Sequence, residues 1–348
     1  MSKFKISFTL KQHTPLIHFQ SNQSGATLRA TELKPKFDKF LLKKNPNLTN
    51  NEGHLKYKVK IEKIGNPIKS VYKTYIPIRD KNNSYYQEGS YFGDNEAVLY
   101  NKIKIEFFSF DLEILKMIQK YFSEFISISS FGTRQNKGFG NFIEDNITQN
   151  EFETHLSKHY LICKKIENNK PLKEILTKYQ TIKSGGRNGV KSKLMEYFLQ
   201  DNLRWEKRWI KKKLKEKKIE WFNDLKDEYH STNDFNFIDN EQFIFARALL
   251  GLSENNEFLV NSNSKDKIIV KISSIEDIKR FPSPIFIKVF DKTIYFLLNK
   301  KETINPIIFN KTFKFEAYYK SNKNNKVDLG RLTTPNNFEI EQFLKASL

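Results

Sequence analysis

The sequence contains a single cysteine, Cys163, among 348 residues. One cysteine excludes an internal disulfide and a cysteine-rich zinc site, because each of these needs several thiols. Such sparse cysteine is typical of a reducing compartment, so we expect a cytoplasmic protein. The six histidines do not follow a metal-ligand spacing either. We therefore expect no metal and no cofactor.

Long apolar runs are also missing. No window offers the roughly 20 consecutive apolar residues that a membrane helix needs. The chain begins Met-Ser-Lys-Phe-Lys and enters an alternating pattern at once, so we expect no signal peptide. We accordingly expect no membrane among the partners.

Acidic residues are too few to balance the basic ones. The sequence has 40 Asp and Glu against 60 Lys and Arg, a formal net charge of +20. An AT-rich coding bias would also enrich lysine and asparagine, and a single lysine is usually solvated surface. An excess this large nevertheless favours a polyanionic partner such as a nucleic acid.

Arginine is scarce, with nine residues against 51 lysines, so each arginine is informative. Arg29, Arg134 and Arg187 lie in segments rich in Gly, Ser, Thr or Asn. Arg204 and Arg208 lie in a basic segment that also contains tryptophan. A guanidinium can bind a phosphate through two hydrogen bonds, so these positions are candidate RNA contacts.

The first 146 residues alternate between strand and helix patterns. Residues 4–11 alternate as in a half-buried strand, and residues 33–41 have helical spacing with Pro35 in a first turn. Strand patterns follow at 57–61, 71–78 and 97–110. Asp111 is placed to cap a second helix, and a last strand follows from residue 141. This order predicts an α+β fold with a ferredoxin-like (RRM-like) βαββαβ domain over 1–146.

The remaining residues, 147–348, are predicted to form a C-terminal domain. It has a basic helical region at 170–250 and a β-rich region at 265–320, which we expect to be a second ferredoxin-like α+β unit. Within the helical region, residues 202–225 are predicted to form one long helix and residues 239–250 another. On the first of these helices, Trp205 and Trp209 would share one face, and this face is more plausibly packed in the core than stacked on bases.

One segment combines glycine, cations and aromatic rings: Phe131-Gly-Thr-Arg-Gln-Asn-Lys-Gly-Phe-Gly140. Its glycines permit close approach of the backbone to a ligand, and amides in such a loop can bind an anion. A flexible loop with apolar anchors is the plainer interpretation, and no P-loop or dinucleotide motif is present. We predict RNA binding, with cations on phosphates and rings on bases, through these residues: Phe131, Arg134, Lys137, Gly138, Phe139 and Gly140.

A run like Gly-x-Arg-x-x-Lys-Gly-x-Gly, before the last strand of such a domain, resembles the RAMP superfamily of CRISPR-associated proteins. The first strand followed by Thr14-Pro15 is similar to the start of many members. Residues 281–288, Phe-Pro-Ser-Pro-Ile-Phe-Ile-Lys, resemble a segment of the first-numbered subunit of the type III-B (Cmr) complex, and residues 246–252 fit a helix before it. The sequence departs from that subunit at residues 18–25, where a glycine-rich turn is usual.

The resemblance implies an RNA-binding subunit of a type III effector complex, acting in antiviral defence. Its partners would be CRISPR RNA, target RNA and the other subunits of the complex. Further cations are candidate contacts with the guide or the guide–target duplex. The segment 184–192 can cradle a phosphate, although an interhelical linker is equally consistent with it. Three lysines are thus added to the candidate RNA contacts: Lys34, Lys191 and Lys212.

RAMP relatives that process precursor CRISPR RNA imply an alternative, a metal-independent endoribonuclease. His18 would be the general base, with Arg29 or Lys34 on the phosphate. His13 reads instead as a strand-end residue, and a contact role without catalysis is favoured for His18. Asp38 is a further candidate, because backbone subunits cleave target RNA with an Asp. It is expected to pair with a neighbouring lysine on a helix.

Overall fold

The computed structural model describes most of the chain. The described residues are 3–17, 27–48, 55–68, 74–77, 86–89, 99–185, 190–217, 241–252, 256–260, 268–276, 278, 281–299, 308–319 and 321–348. The fold is mixed α and β, with several antiparallel sheets. None of the helices in these ranges is both long and apolar enough to cross a membrane.

Helices and strands alternate in the first half of the chain. In order they are β1 (Lys5–Gln12), α1 (Ala30–Lys44), β2 (Lys58–Ile68), β3 (Thr74–Pro77), β4 (Tyr86–Gly89), β5 (Leu99–Phe108), α2 (Leu112–Ile128), β6 (Phe142–Glu144), α3 (Gln149–His159), β7 (Tyr160–Glu167) and α4 (Pro171–Ser184).

Strands dominate the second half. In order the elements are α5 (Lys193–Leu199), β8 (Leu203–Trp205), α6 (Glu206–Glu216), β9 (Gln242–Ile244), β10 (Asn256–Val260), β11 (Ile268–Ser274), β12 (Ile285–Phe290), β13 (Thr293–Asn299), β14 (Thr312–Tyr319), β15 (Asn322–Thr333) and α7 (Ile340–Ser347).

The chain divides into two compact units. The first unit comprises Met1–Ile175 and Phe286–Leu297, and the second comprises Leu176–Ile285 and Leu298–Leu348. In this division residues 147–175 and the β12–β13 hairpin group with the N-terminal part of the chain. A domain boundary at residue 146 stays a prediction.

The first unit is built on a four-stranded antiparallel sheet with the order β2-β5-β1-β6. The alternation seen in the sequence directs Phe8 and Leu10 of β1, and Ile105 and Phe107 of β5, into the core. Phe37 of α1 and the α2 side chains belong to the same buried cluster. The two helices therefore cover one face of the sheet.

The sequence predicted where α1 and α2 begin, with different outcomes. As predicted, Asp111 caps α2: its carboxylate accepts hydrogen bonds from the amides of Glu113 and Ile114. In α1 the prediction was wrong, because Pro35 lies inside the helix and not in its first turn. The helix begins earlier, at Ala30. It tolerates Pro35, which has no N–H to donate, because its Leu33, Phe37 and Leu41 face is fully buried.

The other face of β6 is also covered within the first unit. Ile143 packs with Phe152 and Leu156 of α3 and with Tyr295 and Leu297 of β13. β13 lies between β12 and β7 in a three-stranded sheet. The β12–β13 hairpin, distant in sequence, therefore belongs to the packing around β6.

The second unit differs from its prediction. Its four-stranded sheet has the order β10-β11-β14-β15, so neighbouring strands follow one another along the chain. A ferredoxin-like sheet interleaves its strands, and the expectation of a second such unit was wrong for the described strands. α5, α6 and α7 are the helices that lie wholly within the described part of this unit.

Two helix predictions in the second unit also need correction. Within residues 202–225, Leu203–Trp205 is a strand and the helix begins at Glu206; residues 218–225 lie outside the described residues. Trp205 therefore precedes the helix that contains Trp209, and the two do not share a helical face. Trp209 is buried against Phe315, as a core residue. In the other segment, residues 242–244 form a strand and 246–250 a 3-10 turn.

Loss of the α2 cap should be measurable. We expect Asp111→Ala to lower the free energy of unfolding by about 1 kcal/mol, because two amides of the first turn lose their acceptor. Asp111→Asn, which retains a capping oxygen, is the control and should stay within about 0.5 kcal/mol of wild type. Urea denaturation followed by circular dichroism measures both, and equal losses in the two variants would contradict the capping role.

Candidate nucleic-acid interface

The glycine-rich loop, Phe131–Gly140, is closed at its base by backbone contacts. The Phe131 amide donates to the Gly140 carbonyl at 3.0 Å, and the Gly140 amide donates to the Pro15 carbonyl at 2.9 Å. The Thr133 amide donates to the Ile17 carbonyl at 2.9 Å. The loop is therefore fixed to the segment that follows β1 and is not a flexible connection.

Two of its glycines are required by this closure. Gly140 has φ +64° and Gly132 has φ +77°, both in the left-handed region. A Cβ on Gly140 would overlap the Phe131 carbonyl oxygen, and one on Gly132 would overlap the Ile17 carbonyl oxygen. Gly140 and Gly138, predicted to contact RNA, are buried, and their surroundings are protein. Their role in this structure is to permit close packing.

Asn141 and Thr14 hold the base of the loop from inside, and sequence reasoning missed Asn141. The Asn141 amide and Nδ2 donate to the Thr14 hydroxyl at 3.0 and 3.1 Å, and Nδ2 also donates to the Gly138 carbonyl at 2.6 Å. The Ser130 hydroxyl donates to Asn141 Oδ1 at 3.1 Å. Thr14 and Asn141 are 127 residues apart in the sequence, so no local pattern indicated this contact.

Helix α1 contributes a carboxylate and a cation to the loop. Glu32 Oε1 accepts from the Gly132 amide at 2.6 Å. Lys36 Nζ donates to the Ser130 carbonyl at 2.9 Å and to Gln135 Oε1 at 2.8 Å. Burial lowers the pKa of Lys36, although the nearby Glu32 opposes the shift. These contacts fix the first half of the loop against the helix.

The two aromatic rings of the loop are core residues. Phe131 is fully buried, with ring centroids 6.3 Å from Phe125 and 6.1 Å from Phe142. Phe139 is 2% exposed. The expectation that these rings stack on bases is corrected accordingly: an aromatic side chain beside glycine can equally anchor a loop, and here the apolar environment of the core accepts both rings.

The middle of the loop carries two partly buried cations, Arg134 and Lys137, close enough for the charge of one to act on the other. Arg134 has φ +56° and precedes a 3-10 turn, Gln135–Lys137, which returns the chain toward the core. Burial, and then the charge of Arg134, lower the pKa of Lys137. An anion bound between these side chains would offset the repulsion of the two like charges and restore the Lys137 proton affinity. The arrangement is therefore suited to a phosphate.

A buried lysine from the β12 strand lies behind the loop. Lys288 is fully buried, and its Nζ donates to the Ser129 carbonyl at 2.6 Å and to the Ile126 carbonyl at 3.4 Å. Burial lowers the pKa of its ammonium to about 7. The segment 281–288 stands out in the sequence only for its Ser-Pro pattern, and nothing local in it indicates this contact.

His13, at the end of β1, is structural. It stacks on Phe290 with ring centroids 5.4 Å apart, and its Nδ1 accepts from the Asp291 amide at 2.8 Å. Burial lowers its pKa to about 4, so the imidazole is neutral at pH 7. His18, the candidate general base, lies outside the described residues, as does Arg187.

The other predicted cations of the first unit lie on α1. Lys34 donates to Asp38 at 2.7 Å and to the Leu55 carbonyl at 3.0 Å, and its ammonium lies over the Tyr57 ring. The predicted pairing of Asp38 with a neighbouring lysine is confirmed, and the carboxylate also accepts from the Tyr57 hydroxyl. Lys34 thus forms contacts within the fold and Arg29 occupies the N-cap of α1, and the contact of either with RNA stays a prediction.

Three of the predicted cations of the second unit, Arg204, Arg208 and Lys212, lie near residues 241–243. Arg204 and Arg208 both pair with Glu241, at 3.5 and 2.8 Å. Lys212 lies 5.7 Å from the Phe243 ring centroid, and Lys191 is exposed. The pairing carboxylate follows Arg208 by 33 residues, so the helix pattern did not reveal it. Their contact with RNA stays a prediction.

Comparison with known families gives matches along almost the whole chain. The model of the Cmr1 N-terminal domain matches residues 3–186. The model of the Cmr1 C-terminal domain matches residues 189–348. No curated protein matches the sequence.

Two solved structures are similar over part of the chain. A chain in the cryo-EM structure of the type III-B Cmr-beta bound to cognate target RNA is 11% identical, with a TM-score of 0.31, over 42% of this chain and 60% of that one. Cmr1 from Pyrococcus furiosus, a crystal structure of the apo form, is 12% identical, with a TM-score of 0.25, over 44% of this chain and 53% of that one. Each match spans less than two thirds of the other chain.

The requirement for glycine at the loop base can be tested with a matched pair. We expect Gly140→Ala to lower the free energy of unfolding by about 3 kcal/mol or more, because overlap with the Phe131 carbonyl adds to backbone strain. Gly65→Ala is the control: Gly65 has a similar φ of +79° but nothing within 4 Å, so only strain, about 1–2 kcal/mol, applies. Thermal or urea unfolding compares them, and equal losses would contradict the close packing.

Proposed function

Because the chain belongs to the Cmr1 family, we propose that it is a subunit of a type III-B CRISPR effector complex and binds RNA there, in antiviral defence. The resemblance stated from the sequence is confirmed at the level of the family. The proposed ligands are CRISPR RNA and its duplex with target RNA. The proposed partners are the other subunits of the complex.

The observation that carries the RNA-binding proposal is the Arg134–Lys137 pair on a loop with a fixed base. The loop is held by Glu32 and Lys36 on one side and by Asn141 on the other. A preorganised loop loses little conformational entropy when a ligand binds. Two adjacent cations, one with its pKa lowered by burial and by its neighbour, gain from a phosphate between them.

The proposed mechanism is positional. Loop cations would hold phosphates of the guide and fix its path, and an overall charge of +20 would attract the polyanion. Phosphate contacts of this kind fix register and carry no base information. His13 is buried, and the endoribonuclease alternative depends on His18 outside the described residues. The proposal therefore does not extend to cleavage.

We further propose that the first unit has the ferredoxin-like fold. The support is its order of elements, with α1 between β1 and β2 and α2 between β5 and β6, and the antiparallel strand order β2-β5-β1-β6. That order places the first and third main strands in the centre, as the βαββαβ arrangement requires. The glycine-rich loop then lies at the entry to the edge strand.

Removing the two loop cations should weaken RNA binding. We expect Arg134→Ala combined with Lys137→Ala to lower the affinity for a single-stranded guide RNA at least about tenfold, since a charged hydrogen bond contributes about 1.5–3 kcal/mol. The salt dependence should also become shallower, by about 0.7 for each phosphate that the variant no longer neutralises. Fluorescence anisotropy across a salt series measures both quantities.

The control is Lys116→Ala, which removes a cation of the same unit with 72% of its side chain exposed on α2. It should leave the affinity within about twofold of wild type. If the loop variant bound RNA as the control does, with an unchanged salt slope, the loop would not be the RNA-binding site.

Assembly into a complex requires its own experiment. We expect the tagged chain, co-expressed with the proteins encoded beside it, to co-purify with them and with a guide RNA of defined length. Nuclease treatment before purification separates direct subunit contacts from contacts through RNA. Recovery of the chain alone, in the presence of a complete set of the other subunits, would contradict the proposal.

A further inference from the structure

Lys288 is the feature of the first unit that requires explanation. Its side chain is fully buried, and a well-packed apolar residue of similar size would avoid the desolvation of an ammonium. Its two hydrogen-bond acceptors are backbone carbonyls, those of Ser129 and Ile126. Burial is the cause of its lowered pKa. Burial of the ammonium therefore costs desolvation energy, and the contacts that it makes there are with the end of α2.

The end of α2 has neither a left-handed C-cap residue nor a cation in its last turn, although the Ser129 amide donates to the Ile126 carbonyl. Its C-cap, Ser129, has extended backbone with φ −108° and ψ 147°, and no basic residue lies in the last turn. Helices commonly end with a left-handed glycine or with a cation near the last carbonyls. Lys288 supplies that cation from β12, and its hydrogen bond to Ser129 is the shorter of the two at 2.6 Å.

The glycine-rich loop starts immediately after this contact. The Ser130 carbonyl is held by Lys36, and Ser130 also forms a bridge with Asn141 at the far end of the loop. Two successive carbonyls, at Ser129 and Ser130, are therefore each bound by a lysine. One lysine comes from α1, and the other comes from 159 residues away along the chain. A shift of the Ser129 backbone would therefore also shift the start of the glycine-rich loop.

We propose that Lys288 is a positioning residue for RNA binding: its ammonium holds the Ser129 and Ile126 carbonyls and thereby fixes the glycine-rich loop in the conformation that presents Arg134 and Lys137. This inference rests on the proposed function of the loop. It assigns no contact between Lys288 and RNA, since the side chain is fully buried.

The test is Lys288→Met, which nearly keeps the length of the side chain and removes the charge and the hydrogen-bond donors. Hydrogen–deuterium exchange is measured by mass spectrometry on the full chain, together with guide-RNA affinity and melting temperature. We expect amides of residues 130–140 to exchange at least about tenfold faster, while β5 retains its protection and the melting temperature does not fall. RNA affinity should fall about tenfold.

The matched control is Lys292→Met, which removes an exposed lysine from the turn of the same hairpin. It should change neither loop exchange nor affinity. A merely structural role of Lys288 would instead lower the melting temperature and raise exchange throughout the unit, and that result overturns the proposal. So does an unchanged loop in Lys288→Met. If wild type fails to bind RNA, the proposed function is wrong, and the exchange data alone decide whether Lys288 holds the loop.

If Lys288→Met does not fold, the wild-type chain decides the question. Between about pH 6 and pH 9 the Lys288 ammonium loses its proton, while His13, the neighbouring imidazole whose pKa Lys288 helps to lower, is already neutral. Loop exchange relative to β5, corrected for the chemical rate, should rise over this range, because a neutral amine donates weaker hydrogen bonds to the two carbonyls than an ammonium does. Lys36→Met is measured in parallel, because Lys36 also has a lowered pKa. A constant ratio in both proteins would overturn the proposal.

Discussion

The close approach of two backbone segments, at Phe131 and at Gly140, is the constraint on which the site depends. Their amide and carbonyl groups bond directly, and a side chain on Gly140 would occupy the space of the Phe131 carbonyl. Because the base is closed in this way, the rings of Phe131 and Phe139 turn into the core, while Arg134 and Lys137 stay partly exposed. One steric requirement thus separates the packing residues of the loop from its candidate binding residues.

Features with a short-range cause could be predicted from the sequence. Alternation located β1 and β5, the Asp111 cap marked the start of α2, and the glycine-rich run was correctly placed between α2 and β6. Each depends on residues within a few positions of one another. The residues that hold the loop, Lys288 and Asn141, act on partners up to 162 residues away. No periodicity or motif reports such a contact, so only the folded chain reveals it.

The wrong predictions share a physical origin. The predictions for Phe131 and Phe139 as base contacts, and for Trp205 as a helical residue, depend on residue type and spacing alone. Ring stacking and core packing use the same apolar faces, so residue type does not separate them. Cations are equally ambiguous from sequence: Arg204 and Arg208 suit phosphates and also pair with Glu241, and their contact with RNA stays a prediction. A single distant carboxylate can therefore change how a basic segment is interpreted.

The position of the β12–β13 hairpin in the sequence also determines when the first unit can be completed during synthesis. The family model of the N-terminal domain ends at residue 186, but the first compact unit takes in Phe286–Leu297. A nascent chain leaves the ribosome with its N-terminus first, so α2 emerges well before Lys288 does. Until residue 297 has emerged, the Ser129 carbonyl lacks its ammonium and Ile143 lacks its cover from β13. The glycine-rich loop is therefore completed late, after residues 176–285 of the second unit have been synthesised.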